Sequence, residues 1–253
     1  MNECKGSDVP IDPKLKLLTN ENDKMTSKPF RQLIGCLMYV MIGTRPDISF
    51  ALNMFSRYQD RATDDMWMYL KRILRYLKKT CNVGLEYKRD KSFDLSCYVD
   101  SDWGNDVEDR KSVTGFLFKL YNNTICWATR KQNCVTLSTT EAELVALCDS
   151  VKEGIWLRKL ILDFGLDGKR VTYYEDNQGC IALVRNPENN RRVKHLDLKF
   201  KFICEHLERK HIVITYIDTL RQQADILTKG LQCGSFNKFK ICIGLRDFSE
   251  GGC

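Results

Sequence analysis

The order of apolar segments after Asn82 constrains the fold most: three strand-like runs in succession, a long helix, then strand, helices, strand and helix. LSCYVD (Leu95 to Asp100) alternates weakly and ends on an acid. TGFLFKLY (Thr114 to Tyr121) and TICWATR (Thr124 to Arg130) are aromatic and β-branched, and Asn122-Asn123 between them suits a tight hairpin turn. Ser138-Thr139-Thr140-Glu141 is a capping-box pattern. It predicts a helix with Leu144, Leu147, Val151 and Ile155 on one face and Gly165 at its end. Lys169 to Asp176 reads as a fourth strand, again ending on an acid, and NQGCIALVRNP as a short helix closed by Pro187. Val193 to Leu207 reads as a helix, His211 to Ile217 as a fifth strand and Ala224 to Leu231 as a final helix. This pattern predicts a five-stranded mixed sheet with helices on its faces, an α/β layout.

The first 28 residues, polar and mixed, read as an extended leader with no fold of their own. Residues 29–90 read as a small helical segment. RQLIGCLMYVMI is apolar, and TRPDI looks like a helix start, with Thr44 as cap, Pro46 in the first turn and Asp47 near the positive end. Asp64 to Lys79 puts Met66, Leu70, Ile73, Leu74 and Leu77 on one helix face and Lys71, Arg72, Arg75, Lys78 and Lys79 on the other. That basic face is either solvated or turned to phosphates. Residues 91–232 form the α/β domain in this reading, and the tail, 233–253, is assigned no fold.

A hydrophobic fraction of 43% in 253 residues supports a sizeable core. The formal charge of +7 permits an anionic partner where the excess is clustered. No apolar run approaches the ~18–20 residues needed to cross a bilayer, and the first residues lack the apolar core of a secretory signal. The expectation is therefore a chain with no membrane partner and no secretion, in the cytoplasm or nucleus. Twelve cysteines include no C-x-x-C pair, so no zinc site is expected. They read as reduced, mostly buried thiols.

Four acids stand at element ends: Asp100, Glu143, Asp176 and Asp225. A single acid there is ordinarily a turn or cap residue. Two carboxylates ~4 Å apart repel by about 4 kcal/mol at an effective dielectric near 20, so a cluster of four calls for cations. Mg2+ or Mn2+ prefers such oxygen ligands, and two ions ~4 Å apart can clamp a phosphodiester undergoing hydrolysis. Asp102, two residues past Asp100, is an alternative ligand on the same strand face.

The blocks YVDSDWG, RKSVTGF, STTEAELVAL, YYEDNQGCI, KHLDLKFKFI and QQADILTKGL, in this order, resemble the ribonuclease H region at the end of copia-type Pol polyproteins. KPFRQLIGCLMYVMIGTRPDISFALNMFSRY and LKRILRYLKKT resemble the reverse transcriptase connection segment just upstream. The resemblance implies a ribonuclease H-like fold that cuts the RNA strand of RNA–DNA hybrids with two Mg2+ (or Mn2+) ions. It carries the catalytic acids onto Asp100 in YVD, Glu143 in EAEL, Asp176 in EDNQ and Asp225 in QAD. Asp100 would bridge both metals, and Asp225 would complete the site holding the water. Glu143 and Asp176 would hold the metal beside the leaving group, with Glu143 near a ribose 2′-hydroxyl.

The loop IDTLRQQ lacks the mobile histidine of cellular ribonucleases H, as in the copia type, and leaves the proton donor to the leaving group unassigned. No Y-x-D-D motif is present, so the chain reads as a truncated or isolated Pol fragment whose missing polymerase part is a partner, in a cytoplasmic virus-like particle or the nucleus. Lys71, Arg75, Lys78, Asn177, Gln178, His195 and Lys199 are candidate contacts to nucleic acid, each also explicable as a cap or a solvated charge. Trp103, Trp127 and Trp156 read as core or rim. Two other readings stand beside this one: a silent transposon remnant that at most binds nucleic acid, and a DNA-cutting nuclease of the same fold.

Overall fold

The structure, a computed structural model, describes residues 3–18, 23–90, 94–166, 168, 170–186 and 196–249. In chain order its elements begin with α1 (Phe30–Gly43), a 3-10 turn (Pro46–Ile48), α2 (Ser49–Ser56), α3 (Asp64–Lys79) and β1 (Val83–Leu85). There follow β2 (Leu95–Asp102), β3 (Val113–Leu120), β4 (Asn123–Lys131), α4 (Thr139–Asp163), β5 (Val171–Glu175), α5 (Gln178–Arg185), α6 (Asp197–Glu208) and β6 (Ile212–Tyr216). A 3-10 turn (Thr219–Arg221), α7 (Asp225–Thr228), α8 (Cys233–Cys242) and β7 (Leu245–Asp247) complete the described chain. Two compact units result: Met1–Glu86 with Lys229–Cys253, and Tyr87–Thr228.

In the first unit α3 is capped at both ends by its own sequence. The Thr63 hydroxyl accepts the Met66 N–H at 3.3 Å, Asp64 and Asp65 occupy the first turn and Lys78 and Lys79 the last, each complementing the helix dipole. Met66, Leu70 and Ile73 are buried as the spacing predicts, but Tyr76 joins them while Leu74 and Leu77 are only half-buried. The reason is a buried polar knot. The Tyr76 hydroxyl donates to Asp47, which pairs with Arg45 at 2.8 Å, and Arg45 donates to the Thr80 hydroxyl at 2.7 Å and carbonyl at 3.0 Å. A charge is tolerated in such a place only when paired. Asp47 is thus an ion-pair partner as well as the first-turn acid of the helical start at Pro46, whose cap is Arg45 rather than Thr44, and the Thr44 N–H closes α1 onto the Val40 carbonyl.

The leader and tail also differ from expectation. Val9, Ile11 and Leu17 are buried, the Ser7 N–H meets the Arg75 carbonyl at 3.3 Å, and Lys78 Nζ donates to the Cys4 carbonyl at 3.0 Å. Asp8 pairs with Lys79 and Asp12 with Arg72, so acids of the leader answer part of the basic face of α3. Short apolar anchors spaced through a polar stretch carry no periodicity, which is why the sequence hid them. In the tail, α8 buries Phe236 and Phe239, and β7 pairs antiparallel with β1, Gly84 opposite Arg246.

The second unit holds a five-stranded sheet in the order β4-β3-β2-β5-β6. β3 runs antiparallel to both β2 and β4, whereas β5 is parallel to both β2 and β6. The β3–β4 hairpin turns one residue earlier than expected. Tyr121 and Asn122 have φ of 51° and 59°, the pair of positive values a two-residue type I′ turn needs, and Asn123 starts β4 with its side chain bonded to the Lys88 backbone. Leu144, Leu147 and Val151 of α4 pack on Cys97, Val99, Phe116, Phe118 and Tyr173 of the sheet. The final helix α7 is a single turn, shorter than Ala224 to Leu231.

Gly154 lets α4 approach the sheet: a Cβ there would lie 1.9 Å from the Tyr173 hydroxyl, which donates to the Ser150 carbonyl at 3.3 Å. Gly154→Ala is expected to cost roughly 1–3 kcal/mol, the usual penalty of overpacking, read by denaturant unfolding. An unchanged midpoint would show that the helix gives way freely.

Four described cysteines (Cys97, Cys148, Cys180 and Cys204) are buried, while Cys36, Cys81 and Cys233 are exposed, so "mostly buried" does not hold. Cys36 lies on α1, Cys81 follows α3 and Cys233 opens α8, all on surfaces of the first unit. Among the described residues no helix is long and apolar enough to cross a membrane.

Candidate active site

Because β2 and β5 are parallel, their carboxyl ends reach the same edge of the sheet, and α4 begins beside it. Asp100 on β2, Glu143 in the second turn of α4 and Asp176 just past β5 meet there. Each offers a carboxylate oxygen, and the three oxygens all lie within 4.8 Å of one another. Asp100 and Glu143 are buried and Asp176 half-buried. Glu143 Oε2 is buried without a hydrogen-bond partner. Burial, then the charges of Glu175, Asp100 and Asp176, hold the Glu143 carboxyl well above the usual carboxylate range. Three hard oxygen donors, one of them orphaned and all mutually repulsive, fit a divalent cation such as Mg2+ or Mn2+.

A fifth acid, Glu175, belongs to this edge and escaped the sequence reading. It is fully buried, Oε1 accepts the Asn177 N–H at 3.0 Å, and Oε2 has no partner. Burial, then the neighbouring Asp176 and Asp100 charges, also raise its carboxyl well above normal, against the Asn177 hydrogen bond. The signal was the strand alternation itself: Val171, Tyr173 and Glu175 share the inward face of β5.

Three neutral side chains fix the acids. Opposite Asp100 on β3 stands Gly115, where a Cβ would meet Thr228 Cγ2 at 2.6 Å and Leu227 Cβ at 2.9 Å. The missing Cβ lets α7 settle on the sheet, and the Thr228 hydroxyl donates to Asp100. Gln222, fully buried, donates to the Val99 carbonyl at 2.8 Å and the Tyr174 carbonyl at 3.3 Å, tying β2 to β5 just before the acids. Gln132 donates to the Ala142 carbonyl at 2.9 Å, beside Glu143. None of these was legible as a site residue, because each acts through cross-strand register.

The remaining sequence candidates separate. Asp225 is buried at the start of α7 and is not one of the three clustered acids; its turn reaches the site through Thr228. The Asp102 carboxylate accepts from Asn105. Asn177 caps α5, accepting the Cys180 N–H at 2.9 Å, with Gln178 exposed beside it. Lys199 reaches Asp149 on α4 at 3.9 Å. Lys71, Arg75 and Lys78 lie on α3 in the first unit. His195, with Arg191, Arg192 and Lys194, lies outside the described residues. Trp103 and Trp156 are exposed, Trp103 Nε1 donating to the Thr136 carbonyl at 3.0 Å.

The raised carboxyls of Glu143 and Glu175 set a sign for stability against pH. A carboxyl whose folded pKa exceeds its unfolded value costs nothing below the unfolded value near 4.5, destabilises progressively as pH rises above it, and levels off once pH passes the folded one. In EDTA, Glu175→Gln is therefore expected to stabilise the chain relative to wild type, by more at pH 8 than at pH 5. Taking the difference between the two proteins cancels the opposite contribution of His206 and His211, whose lowered pKa values destabilise as pH falls. A variant equally or less stable than wild type at pH 8 would contradict it.

No family model matches the chain. A retrovirus-related Pol polyprotein from transposon TNT 1-94 of Nicotiana tabacum is 35% identical over 249 residues, 96% of this chain and 18% of that protein. The Pol polyprotein from transposon RE2 of Arabidopsis thaliana is 34% identical over 239 residues, 94% of this chain and 16% of that protein. The chain thus spans a small part of either. Secreted RxLR effector protein 161 of Plasmopara viticola is 41% identical over 133 residues, 53% of this chain and 94% of that one. Among solved structures, the foamy viral protease-reverse transcriptase in complex with dsDNA aligns at TM-score 0.50 and 17% identity, over 79% of this chain and 40% of that one, a likeness of fold. With relatives at 34–35% identity over nearly its whole length, the chain belongs to the retrovirus-related Pol polyproteins of copia-type transposons, and the mixed five-stranded sheet of its second unit has a ribonuclease H-like fold.

Proposed function

We propose that this domain hydrolyses the RNA strand of RNA–DNA hybrids, with Asp100, Glu143 and Asp176 holding divalent cations and Asp225 completing a two-ion set. The observation that carries this reading is the three-acid cluster, two of its members buried, with its orphaned Glu143 oxygen. Mg2+ or Mn2+, when bound, supplies Lewis-acid stabilisation of the phosphoryl oxygens and lowers the pKa of a bound water. The chain's own residues supply the positions. Thr228 fixes the Asp100 carboxylate, Gln222 locks the two strand ends together, and Gln132 holds the first turns of α4 so that Glu143 faces the cluster. Glu143 is the group nearest the 2′-hydroxyl that distinguishes RNA in this reading. Gln178, exposed beside Asp176, and Lys71, Arg75 and Lys78 of the α3 basic face contact the hybrid backbone, with Asn177, His195 and Lys199 as further contacts. The remainder of a Pol polyprotein, its polymerase included, is the partner, within a cytoplasmic virus-like particle or the nucleus.

The test is digestion of three labelled duplexes of one sequence, RNA–DNA, DNA–DNA and RNA–RNA, in Mg2+. Only the RNA strand of the hybrid is expected to be cut. Cleavage of the DNA duplex at a similar rate would replace this reading with a DNA nuclease of the same fold.

A further inference from the structure

At the opposite end of the sheet from the acids, two histidines face each other. α6 ends in a paired-bond turn: the His211 N–H bonds to the His206 carbonyl at 3.0 Å and the Lys210 N–H to the Leu207 carbonyl at 3.0 Å. Lys210 takes the left-handed conformation, φ 56°, that this turn requires. The backbone thereby returns His211 over the last turn of the helix. His206 Nδ1 and His211 Nδ1 stand 3.1 Å apart, with ring planes inclined by 38°. Phe202, edge-to-face with His206 at 4.7 Å, braces the helical ring. Both imidazoles are half-buried, so solvent reaches them.

We propose that His206 and His211 form a two-histidine chelate for a first-row transition-metal ion such as Zn2+, Ni2+ or Cu2+, stapling the end of α6 to the start of β6. Metal–imidazole bonds of ~2.0–2.1 Å at ordinary bond angles place two nitrogens about 3 Å apart, as found here. Imidazole selects these ions over Mg2+, whose preference is for the oxygen cluster. The two sites lie at opposite ends of parallel strands. The His211 carbonyl accepts the N–H of Val171, the first residue of β5, whereas Asp176 follows the last. The charged groups around the pair are Glu205 on α6, Arg209 at its C-cap, and Arg158 and Lys159 on α4. Burial first, then the other imidazole for His206 and Arg158 for His211, holds both pKa values below the ordinary histidine value, which leaves lone pairs available at neutral pH. The same separation also suits an imidazole N–H donating to an imidazole nitrogen, and the experiment separates the two.

Ni2+ is titrated by calorimetry into the full, untagged chain at pH 7.5, with thiols alkylated and the acid cluster saturated by excess Mg2+. One equivalent is expected to bind, with affinity falling at least tenfold in His206→Ala and in His211→Ala, unchanged in His195→Ala, and weakening below pH 6 as protons compete. Should either variant fail to fold, the wild-type histidine ring 15N spectrum decides with Zn2+: both Nδ1 resonances are expected to shift together. Absence of saturable Ni2+ binding up to 1 mM, equal binding by the folded His206→Ala and His211→Ala variants, or unmoved Nδ1 resonances would overturn the proposal and leave the pair a hydrogen bond.

Discussion

Asp100→Asn is expected to abolish cleavage of the RNA strand, by roughly three orders of magnitude or more, because metal-ion stabilisation of a phosphoryl transfer supplies several kcal/mol and each ~1.4 kcal/mol is tenfold. The substitution keeps the shape of the side chain, and its carbonyl oxygen can still accept from the Thr228 hydroxyl. It removes one negative charge from a cluster in which Glu143 is already pushed toward its protonated form by burial and then by its acidic neighbours. The folded chain should therefore be as stable as wild type, or more so, in EDTA. Loss of activity together with a lower melting temperature would point to a structural role for Asp100. Undiminished cutting would remove it from the site.

The second large effect separates two glutamates on one helix. Glu143→Gln is expected to lose cutting as completely as Asp100→Asn, and Glu141→Gln to keep it. Two positions along a helix point about 160° apart, so the pair cannot share one centre. Glu141 is committed locally: its N–H donates to the Ser138 hydroxyl at 3.2 Å, and its Oε2 accepts the Leu137 N–H at 2.7 Å. That is one residue upstream of the N-cap N–H that a capping box implies, yet the job is the same, and a glutamine carbonyl can do it. Glu143 has an oxygen with no partner and sits with Asp100 and Asp176. Paired rates of the two variants, with circular dichroism to confirm folding, decide the matter. A dead Glu141→Gln beside an active Glu143→Gln would reverse the assignment.

What the sequence made legible follows from how locally each feature is encoded. α3 and α4 were readable because a cap, a dipole-matched first turn and a buried stripe coincide within each segment. The five strands were readable because strand-forming runs are bounded by turn residues. β1 and β7 were not, since VGL and LRD are three-residue strands that exist only through each other. Nor were the buried anchors Val9, Ile11 and Leu17, whose partners are distant in sequence.

The site divides the same way. Asp100, two residues before the end of β2, Glu143 in the second turn of α4 and Asp176 just past β5 stand in motif blocks, where a sequence can show them. Asp225 could be placed only as far as the turn that carries Thr228. Glu175 was hidden by its neighbour Asp176, and Gln222, Gln132 and Gly115 by the fact that their roles arise from strand pairing.

The most direct measurement of the central claim is a metal titration of activity. The chain is stripped with EDTA, freed of chelator and mixed with an RNA–DNA hybrid labelled on the RNA strand, and the cleavage rate is followed as Mg2+, or separately Mn2+, is restored. The expected result is no product in the stripped protein and a saturable return of RNA cleavage with either ion, absent in a parallel Asp100→Asn preparation. Cleavage that persists in EDTA, or a folded protein that stays inactive at every Mg2+ and Mn2+ concentration, would contradict the assignment of the acid cluster as a metal-dependent ribonuclease centre.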